Sequence, residues 1–476
     1  MEIKKITDVK RVLQTAHVPV VVYASDAIFE KMQQDKTLTQ AINVSALPGI
    51  CKHMLVMPDA HQGYGFPIGG VAAMDATCGC ISPGGIGFDI NCGVRAHVSE
   101  LTKDDISDKL EAIAEALYKT TPVGQGGKGN AGQSELRLTH EELDELLAKG
   151  LPWAKDRGYA TDDDIARTES NGCLSEADPS LITPTGKKRG KNQVGSLGSG
   201  NHFLELQYVD EIYDEAVAKE FRIHKKGQLV LMIHSGSRGL GHQTCSDFIQ
   251  RMAEEFTEIF DSLPEKDLIY APLSSDIAKE YYAAMCACAN FAWVNRFMIA
   301  YNAIKAFETI TGDASFSTIY DVAHNIAKKE SHVIDGKLTD VMVHRKGATR
   351  AFAAGHPELI DAYQKTGHPV LIPGSMGTPS FVCVGTQKGM EETFGSTAHG
   401  SGRVMGRRRA HEEIDGEQVA AELLARGIIV KAPRLSEIAD EAPQVYKNSE
   451  EVVQVNEDAG ITRKIARLQP LCVIKG

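Results

Sequence analysis

The chain has 476 residues with 42 % hydrophobic and 24 % charged side chains, which excludes disordered and fibrous proteins. Its 51 Lys and Arg against 63 Asp and Glu give a net charge of −12. This charge argues against a surface that binds nucleic acid everywhere, but it allows a local basic groove. The residues after Met1 do not have the pattern of a secretory leader, and no apolar run is long enough to span a bilayer. We therefore expect a cytoplasmic protein that makes no membrane contact.

The cysteines give no sign of a disulfide framework. The chain has 10 of them, with no CxxC pair and no regular spacing. In a long chain without an export signal, such cysteines are usually reduced, and most behave as small buried side chains. We expect free thiols.

The predicted elements mix strands and helices without a regular alternation. Glycine is dense between Gly63 and Gly93 and recurs in short loops further on, which indicates turns and close backbone approaches. Short apolar runs at 229–233, 341–343, 370–372 and 381–384 predict strands. Helices are predicted at 103–118, 140–149, 276–307 and 416–426, the long one capped by Ser274 or Ser275.

Residues 150–195 are polar and rich in turns, so we expect a long surface excursion there. Candidate site residues lie on both sides of this stretch, and it is therefore not a linker. The whole pattern predicts an α+β fold of irregular mixed or antiparallel sheets with surrounding helices, in a single domain over residues 1–476.

Five residues have the chemistry of metal ligands. Asp89 and Cys92 stand three apart on a glycine-flanked turn, and three histidines end or follow apolar runs: His202, His234 and His324. Taken singly, each is more often a capping or core residue than a ligand. Together they supply one carboxylate, one thiolate and three imidazoles, enough for one or two divalent ions. Ligand softness alone leaves zinc, manganese and iron open.

A second element combines a histidine with basic side chains. His399 lies on a Gly/Ser loop and is followed by four arginines, with Arg403 and Arg407 among them. Guanidinium groups and exposed backbone N–H groups suit phosphate, which indicates an anion site with a histidine nucleophile. The chain has no GxxxxGK[ST] loop, no Rossmann fingerprint and no KxDG lysine motif.

These motifs, taken together, resemble the RtcB-type GTP-dependent RNA-splicing ligases over nearly the whole chain and in the expected order. The blocks that carry the resemblance are 57–63, 89–95, 200–205, 234–239, 344–350, 373–377, 399–403 and 473–476. Two positions depart from the family pattern. Ser401 stands where the family loop usually has Ala, and Gly406 stands where serine is common. Both changes are small and should leave the nucleophile in place.

The resemblance implies an enzyme that joins a 2′,3′-cyclic phosphate or 3′-phosphate RNA end to a 5′-hydroxyl end, with GTP and two Mn²⁺ ions. His399 would become guanylylated. The five residues above would hold the metal, with Cys92 bridging. The GTP pocket would consist of Asn201, His202, Phe203, Leu204, Glu205, His324, Asn325, Pro373, Gly374, Ser375, Met376, Ser380, His399, Gly400, Ser401, Gly402, Tyr446 and Lys475. RNA phosphates would be held by Arg238, Lys346, Arg403 and Arg407.

Elementary chemistry supports parts of this assignment. A neutral imidazole is nucleophilic near neutral pH. A carboxylate at Glu205 would accept hydrogen bonds from guanine N1–H and N2–H₂, and Lys475 would donate to O6. Few aromatic residues flank the arginine cluster in the sequence, so we expect RNA ends to be recognised more through phosphates than through base stacking.

Two alternatives stay open at the level of the sequence. One is a metal-dependent phosphoesterase or cyclic phosphodiesterase acting on RNA ends, and the other is a non-catalytic RNA-binding scaffold with a structural metal. For the ligase we expect RNA ends, such as tRNA halves, as substrates. We further expect a monomer and, as the resemblance suggests, an archease-type activating protein.

Overall fold

The backbone is built around two large sheets and one long buried helix. The computed structural model describes residues 2–124 and 136–476. Its helices are α1 (Asp26–Met32), α2 (Thr37–Ser45), α3 (Leu110–Thr120), α4 (His140–Lys149), α5 (Leu151–Asp156), α6 (Asp162–Ala166), α7 (Pro184–Gly190), α8 (Glu215–Glu220), α9 (Arg238–Glu255), α10 (Thr257–Ser262), α11 (Asp276–Thr311), α12 (Gln387–Thr393), α13 (Arg407–Glu413), α14 (Gly416–Ala425) and α15 (Ser449–Asp458).

The strands of the described residues are mostly short. They are β1 (Ile3–Thr7), β2 (Lys10–Leu13), β3 (Val20–Tyr23), β4 (Met54–Tyr64), β5 (Phe66–Asp75), β6 (Cys80–Ile81), β7 (Gly93–Thr102), β8 (Phe203–Ile212), β9 (Gln228–Ser235), β10 (Ala271–Pro272), β11 (Phe316–Ala323), β12 (Asn325–Ile334), β13 (Lys337–Lys346), β14 (Ala348–Arg350), β15 (Pro369–Ile372), β16 (Ser380–Gly385), β17 (Ser396–Ala398), β18 (Ile429–Lys431) and β19 (Thr462–Lys475).

The two large sheets are mixed, with antiparallel pairing predominating. One has the order β1-β2-β3-β4-β5-β13-β12, in which only β3 and β4 run parallel. The other has the order β11-β7-β9-β8-β19-β16-β15, with β18 parallel to β19. Two small pairs, β6 with β10 and β14 with β17, complete the pairing of the described strands. This arrangement confirms the predicted α+β class.

The long helix α11 forms the centre of the molecule. Its first turn is capped by Ser275, whose hydroxyl accepts from the Ala278 N–H, and it ends at Gly312 in the left-handed region (φ 79°). Most of its 36 residues are buried, on every face of the helix, as expected for a core helix rather than a surface helix. The predicted helix at 276–307 is confirmed, and its observed end lies four residues later.

The other predicted elements are present in the structure, some of them with different bounds. Helix α4 begins at a capping box between Thr139 and Glu142, and α14 covers the predicted stretch from residue 416. Helix α3 begins only at Leu110, because residues 104–106 form a 3₁₀ turn. The predicted strands are confirmed as β9, β13, β15 and β16, although β13 is much longer than its apolar centre.

The expectation of a surface excursion at 150–195 is wrong. This stretch contains α5, α6 and α7, and the Trp153 side chain is fully buried. The carboxylate of Glu169 is also buried, where it accepts from the Ala323 N–H at 2.8 Å and from Lys328 Nζ at 3.1 Å. A few well-placed side chains therefore fix a segment whose overall composition is polar.

Two further observations concern the chain as a whole. All ten cysteines are free, as predicted. Among the described helices, none combines the length and the apolar composition that a bilayer crossing requires.

Candidate active site

Four neighbouring strands of the second sheet bring the predicted metal ligands together at one end of these strands. In the order β11-β7-β9-β8, adjacent strands are antiparallel, so the ends of β11 and β9 lie beside the starts of β7 and β8. His324 follows β11, Cys92 precedes β7, His234 ends β9 and His202 precedes β8. Residues far apart in the sequence therefore meet because of strand order alone.

The ligand atoms form two groups that share one sulfur. Cys92, His234 and His324 form one group, and Asp89, Cys92 and His202 form the other. The Cys92 Sγ lies 3.2 Å from His234 Nε2 and 3.4 Å from His202 Nε2. A thiolate, a carboxylate and imidazole nitrogens at this spacing fit divalent transition metals, and the shared sulfur fits a pair of ions.

A buried polar frame holds the turn that carries Asp89 and Cys92. Asn91 adopts a left-handed conformation (φ 51°), and its carbonyl accepts from Arg296 on α11 at 2.6 Å. Arg296 also pairs with Asp321 of β11 at 2.7 Å, and both side chains are fully buried. The central helix thus fixes the metal-binding turn against the sheet.

Burial controls the protonation of the ligands in the metal-free protein. It raises the pKa of the Cys92 thiol well above its ordinary value and lowers the pKa values of His234 and His324 well below theirs. Burial also opposes ionisation of Asp89, but the hydrogen bond and charge of His202 lower the pKa of that carboxyl. The His234 and His324 imidazoles are therefore ready as neutral ligands, whereas Cys92 must lose a proton when metal binds.

His399 lies beside this cluster and is held from behind by a carboxylate. It follows β17, and its ring centroid is 4.7 Å from that of His324. Its Nδ1 lies 2.5 Å from Asp59 Oδ2, which also accepts the backbone N–H groups of His399 and Gly400 at 2.9 and 3.3 Å. Asp59 is fully buried in β4. This contact assigns the proton to Nδ1 and leaves the Nε2 lone pair free.

A cavity of about 330 Å³ connects His399, the metal ligands and the predicted GTP pocket. Glu205 lines its inner part, where burial raises the pKa of this carboxyl to about 7, with Gln207 and Lys475 opposing the rise. Gln207 Nε2 donates to Glu205 Oε2 at 2.6 Å. A larger cleft of about 1240 Å³ beside β12 and β13 contains none of the predicted site residues, so size alone does not identify the site.

A second carboxylate joins three of the predicted residues. Glu441 is buried and accepts from Arg403 at 3.0 Å and from Lys475 Nζ at 3.2 Å, and it also accepts from the Tyr446 hydroxyl. Burial opposes ionisation of Glu441, but Lys475, Tyr446 and the arginines lower the pKa of its carboxyl. Glu441 thereby ties the C-terminal strand to the loop that follows His399.

The structure brings most of the predicted site residues to this one cavity. Those that line it are Asp89, Cys92, Asn201, Phe203, Glu205, His234, His324, Asn325, Lys346, Pro373, Gly374, Ser375, Met376, His399, Gly400, Ser401, Gly402, Arg403, Arg407, Tyr446 and Lys475. Ser401 stands where the family loop usually has alanine, and its hydroxyl lies 3.5 Å from the Pro373 carbonyl.

Four predicted residues do not line the cavity. His202 lies behind Cys92 and Asp89 within the ligand cluster. Leu204 alternates with Phe203 and Glu205 along β8 and packs in the apolar core on the other face of the sheet. Ser380 accepts from the Gly374 N–H and from Gln207, both at 3.0 Å, so it supports the pocket from outside. Arg238, at the start of α9, is likewise outside the lining.

The four predicted phosphate-binding side chains differ in their surroundings. Arg238 begins α9 with φ 56°, and it contacts Ser196 Oγ and the Gly124 carbonyl at 3.4 and 3.3 Å. Lys346 donates to the carbonyls of Tyr64 and Phe66 at 2.9 and 3.0 Å, and burial lowers its pKa to about 8. Arg403 is bound to Glu441, whereas the Arg407 side chain is 60 % exposed.

Asp59, Gln207 and Glu441 were missed by the sequence reasoning. Asp59 lies in the block 57–63 that carried part of the resemblance, but nothing in its spacing connects it with His399, which is 340 residues away. Gln207 stands two residues after Glu205 on β8, so both side chains share a face of the strand. No strand was predicted there, and the spacing of two was the only available signal. Glu441 lies in a polar stretch without such a pattern.

The geometry places residues that could hold a metal ion beside a histidine whose ring nitrogen contacts a buried carboxylate, an arrangement typical of metal-assisted enzyme sites. A family model described as tRNA-splicing ligase RtcB matches residues 40–476. The tRNA-splicing ligase RtcB of Thermococcus kodakarensis is 50 % identical over 96 % of this chain and 95 % of its own length. That of Archaeoglobus fulgidus is 46 % identical over 100 % and 99 %, and the RNA-splicing ligase RtcB homolog 1 of Entamoeba histolytica is 45 % identical over 92 % and 83 %.

The chain therefore belongs to the RtcB family and is an RNA ligase that acts on RNA substrates. Membership confirms the resemblance found in the sequence. It also decides against the non-catalytic scaffold and against a phosphoesterase as the principal activity. The family uses metal and GTP in general, and the clustered ligands agree with metal use.

Proposed function

We propose that this ligase joins a 2′,3′-cyclic phosphate or 3′-phosphate RNA end to a 5′-hydroxyl end, with GTP and Mn²⁺, through a covalent GMP adduct on His399. The observation that carries this proposal is the position of His399. Its Nδ1 is held by Asp59 at 2.5 Å, and its ring lies 4.7 Å from that of His324, a member of the ligand cluster.

The metal site of this proposal consists of Asp89, Cys92, His202, His234 and His324. They would hold two Mn²⁺ ions with the Cys92 thiolate between them, in agreement with the two groups that share this sulfur. When bound, the ions supply positive charge that stabilises the phosphate oxygens of GTP and RNA. Burial keeps His234 and His324 neutral, and neutral imidazoles bind metal ions more readily than protonated ones.

The first step is attack of His399 Nε2 on the GTP α-phosphorus. A P–N bond forms, the bond to the β-phosphate oxygen breaks, and pyrophosphate leaves with the electron pair. The Asp59 carboxylate keeps the proton on Nδ1 and stabilises the positive charge that the ring acquires. The backbone N–H groups of His399 and Gly400 also bind Asp59, so this carboxylate orients the nucleophile's ring and backbone together.

Guanine would be selected by Glu205, whose ionised carboxylate accepts from N1–H and N2–H₂. Adenine presents an acceptor at N1 and therefore leaves a buried carboxylate oxygen unpaired. Lys475 would donate to O6. Tyr446 and the loops that contain Asn201, Asn325 and residues 373–376 would enclose the nucleoside, in agreement with their place in the cavity.

In the following steps GMP passes from His399 to the RNA 3′-phosphate, and the 5′-hydroxyl then attacks that phosphorus. The P–N bond breaks in the first transfer, and GMP leaves when the 3′–5′ linkage forms. A cyclic phosphate is first opened by water to the 3′-phosphate. Arg238, Lys346, Arg403 and Arg407 would hold RNA phosphates, and binding should weaken as salt rises.

The direct test is incubation of the protein with Mn²⁺ and α-³²P-labelled GTP, followed by denaturing electrophoresis. We expect a labelled protein whose label is lost in acid and kept in base. His399→Ala should not be labelled. His17→Ala, a change of an exposed histidine at the surface, is the matched control and should be labelled like the wild type.

Label retained by His399→Ala would exclude this nucleophile. Ligation of RNA ends by a wild-type protein that never forms an adduct would exclude covalent catalysis altogether. The same assay with labelled ATP tests the role of Glu205, because adenine should not support labelling.

Four further parts of the proposal concern the protein's setting. We propose a monomer, a cytoplasmic location and activation by a small archease-type protein, with tRNA halves as substrates. Sedimentation of the purified chain and ligation assays with and without the activating protein test the first and third of these.

A further inference from the structure

Three aromatic rings form a cluster at the rim of the active-site cavity. Phe88, next to the metal ligand Asp89, stacks on His242 with ring centroids 5.0 Å apart and an interplanar angle of 29°. Tyr64 meets the edge of Phe88 at 6.0 Å and 87°. Tyr64 and Phe88 both line the cavity that contains His399. We call Tyr64, Phe88 and His242 the rim cluster.

The rim cluster presents ring surface to solvent. Tyr64 is 65 % exposed, one of the most exposed large hydrophobic side chains in the described part of the protein. His242, in the first turns of α9, is exposed as well, and Phe88 between them is half-buried. An aromatic face that is left open beside a catalytic cavity has no role in packing the core, and it provides a surface for a flat ligand.

The backbone under Tyr64 is rigid. Tyr64 lies at the tip of the β4–β5 hairpin between two anchored glycines. Gly63 exchanges hydrogen bonds of 2.9 Å with the Gln40 side chain in both directions, and the Gly65 N–H donates to Glu265 at 3.2 Å. A ring on a fixed backbone loses little conformational entropy when a ligand stacks on it.

A lysine ammonium group binds the backbone of the same residue. Lys346 Nζ donates to the Tyr64 carbonyl at 2.9 Å and lines the cavity. A nucleotide places a base and a phosphate only a few ångströms apart, so a ring beside an ammonium group matches both of its parts. Proteins that bind single strands without sequence preference use large basic and aromatic surfaces. One nucleotide at the end of a chain needs only a small site of the same kind.

We propose that the rim cluster stacks the terminal base of an RNA end and thereby places its sugar and phosphate at the metal site. Because the chain is an RNA ligase, RNA is the ligand that must enter this cavity, and the proposal does not depend on the histidine chemistry. It gives base stacking a larger part than the sequence-based expectation, in which phosphates contribute more than stacking. The fold brings together rings that lie 24 to 178 residues apart in the sequence.

Equilibrium binding tests the proposal. Fluorescein-labelled RNA strands are titrated with protein and Mn²⁺ in the absence of GTP, one set ending in a 3′-phosphate and the other beginning with a 5′-hydroxyl. Each set has a version with an abasic terminal nucleotide. The variants are Tyr64→Ala, Tyr64→Phe and His242→Ala, and Tyr213→Ala, a change of a 41 %-exposed tyrosine outside the cavity, is the matched control.

We expect Tyr64→Ala to weaken binding of one set by about 5- to 100-fold, the range that loss of one base–aromatic stack gives. The affected set identifies which RNA end lies there. Tyr64→Phe and Tyr213→Ala should bind like the wild type, and the abasic strand should bind equally to wild type and Tyr64→Ala. Unchanged binding of both sets by Tyr64→Ala would overturn the proposal, and so would an equal loss with the abasic strand.

Discussion

At the scale of single residues, Asp59 is the side chain on which His399 depends most directly. It contacts the ring nitrogen and two backbone N–H groups of the nucleophile loop, and its other oxygen, Oδ1, is buried without a partner. One carboxylate therefore sets the tautomer, the ring orientation and the local charge. An isosteric change to Asn alters the charge and the control of the tautomer together, while it keeps the size of the side chain.

Asp59→Asn keeps the size of the side chain and removes its negative charge. We expect the rate of His399 guanylylation to fall by about 10²- to 10⁴-fold, because the positive charge on the attacking ring loses its stabilisation. Single-turnover kinetics with labelled GTP measure this rate. Asp8→Asn, a change of a fully exposed carboxylate, should leave it unchanged, and an equal rate for Asp59→Asn would exclude the orienting role.

The proposed guanine contact predicts a pH dependence. Burial raises the pKa of Glu205 to about 7, so the carboxyl of the free enzyme is protonated below that pH and ionised above it. Only the ionised form accepts two hydrogen bonds from guanine. The KM for GTP should therefore fall as pH rises through about 7, as measured by the GTP dependence of adduct formation.

Glu205→Gln supplies the control for that profile. It keeps the shape of the side chain, cannot ionise, and should bind GTP weakly at every pH. A wild-type KM that does not change with pH, or a variant that keeps the same profile, would exclude Glu205 as the titrating group.

The residue scale also shows what sequence reasoning reaches. Cys92 was predicted from its spacing to Asp89 on a glycine-flanked turn, and the three histidines from their places at or after apolar runs. It was their combination, rather than any one of them, that indicated a metal site. Asp59 and Glu441 are carboxylates without a distinctive neighbourhood, and their partners lie 340 and 34 residues away. Only the three-dimensional path of the chain connects them with the site.

At the scale of elements, the turn after β17 is the most constrained part of the site. Gly402 has φ +74°, and a Cβ placed on it would lie 1.9 Å from the Asp59 carbonyl. The Lys447 N–H donates to the Gly402 carbonyl at 2.9 Å, and Lys447 Nζ donates to the carbonyls of Pro58 and Ala60 on either side of Asp59. The turn and strand β4 are thus fixed to each other.

Gly402→Ala should push the turn after β17 away from strand β4, because the added Cβ would clash with the Asp59 carbonyl. We expect a loss of roughly 1–3 kcal/mol of unfolding free energy from the left-handed backbone, further loss from the clash, and strongly reduced adduct formation. Urea unfolding and the labelling assay measure the two effects. Gly406→Ala is the matched control, because φ there is −68° and the added Cβ meets nothing within 4 Å.

We expect Gly406→Ala to change the unfolding free energy by less than about 0.5 kcal/mol. A Gly402→Ala protein as stable and active as the control would show that the turn has room to move. The result would then contradict the close packing described for Asp59 and the nucleophile loop.

Strands and helices were predicted from the sequence where their pattern was local. Helix α11 has caps at both ends and a continuous apolar body, which makes it recognisable. Strand β13 extends well beyond its apolar centre at 341–343, because pairing with β12 and β5 holds polar residues in the strand. The helices within 150–195 were missed because each buries only a few side chains.

At the scale of the whole molecule, strand order determines the site. Each of the four strand ends contributes one ligand. Residues 213–227 join β8 to β9, whereas the much longer stretches 103–202 and 236–315 separate β7 from β8 and β9 from β11. The α+β class follows from the mixture of predicted elements. The order β11-β7-β9-β8 does not, because it depends on pairings that no local pattern encodes.

Metal binding should stabilise the entire fold, because the ligands come from strands that lie far apart in the sequence. We expect Mn²⁺ at about 100 times its dissociation constant to add about 2.7 kcal/mol per site and to raise the melting temperature. The gain should increase with pH, because the Cys92 thiol, whose pKa burial raises, must release its proton. Differential scanning fluorimetry with and without EDTA measures it.

Cys92→Ser should abolish most of this stabilisation. Cys78→Ser, a change of an exposed cysteine, is the control and should respond to Mn²⁺ like the wild type. An undiminished response in Cys92→Ser would show that the thiolate is not a ligand.

One measurement tests the central claim most directly: a crystal structure of the wild-type protein treated with GTP and Mn²⁺, with anomalous data collected at the manganese edge. The account predicts GMP bonded to His399 Nε2 and two anomalous peaks on either side of Cys92 Sγ. GMP on another side chain, or manganese without a bond to Cys92, would contradict it.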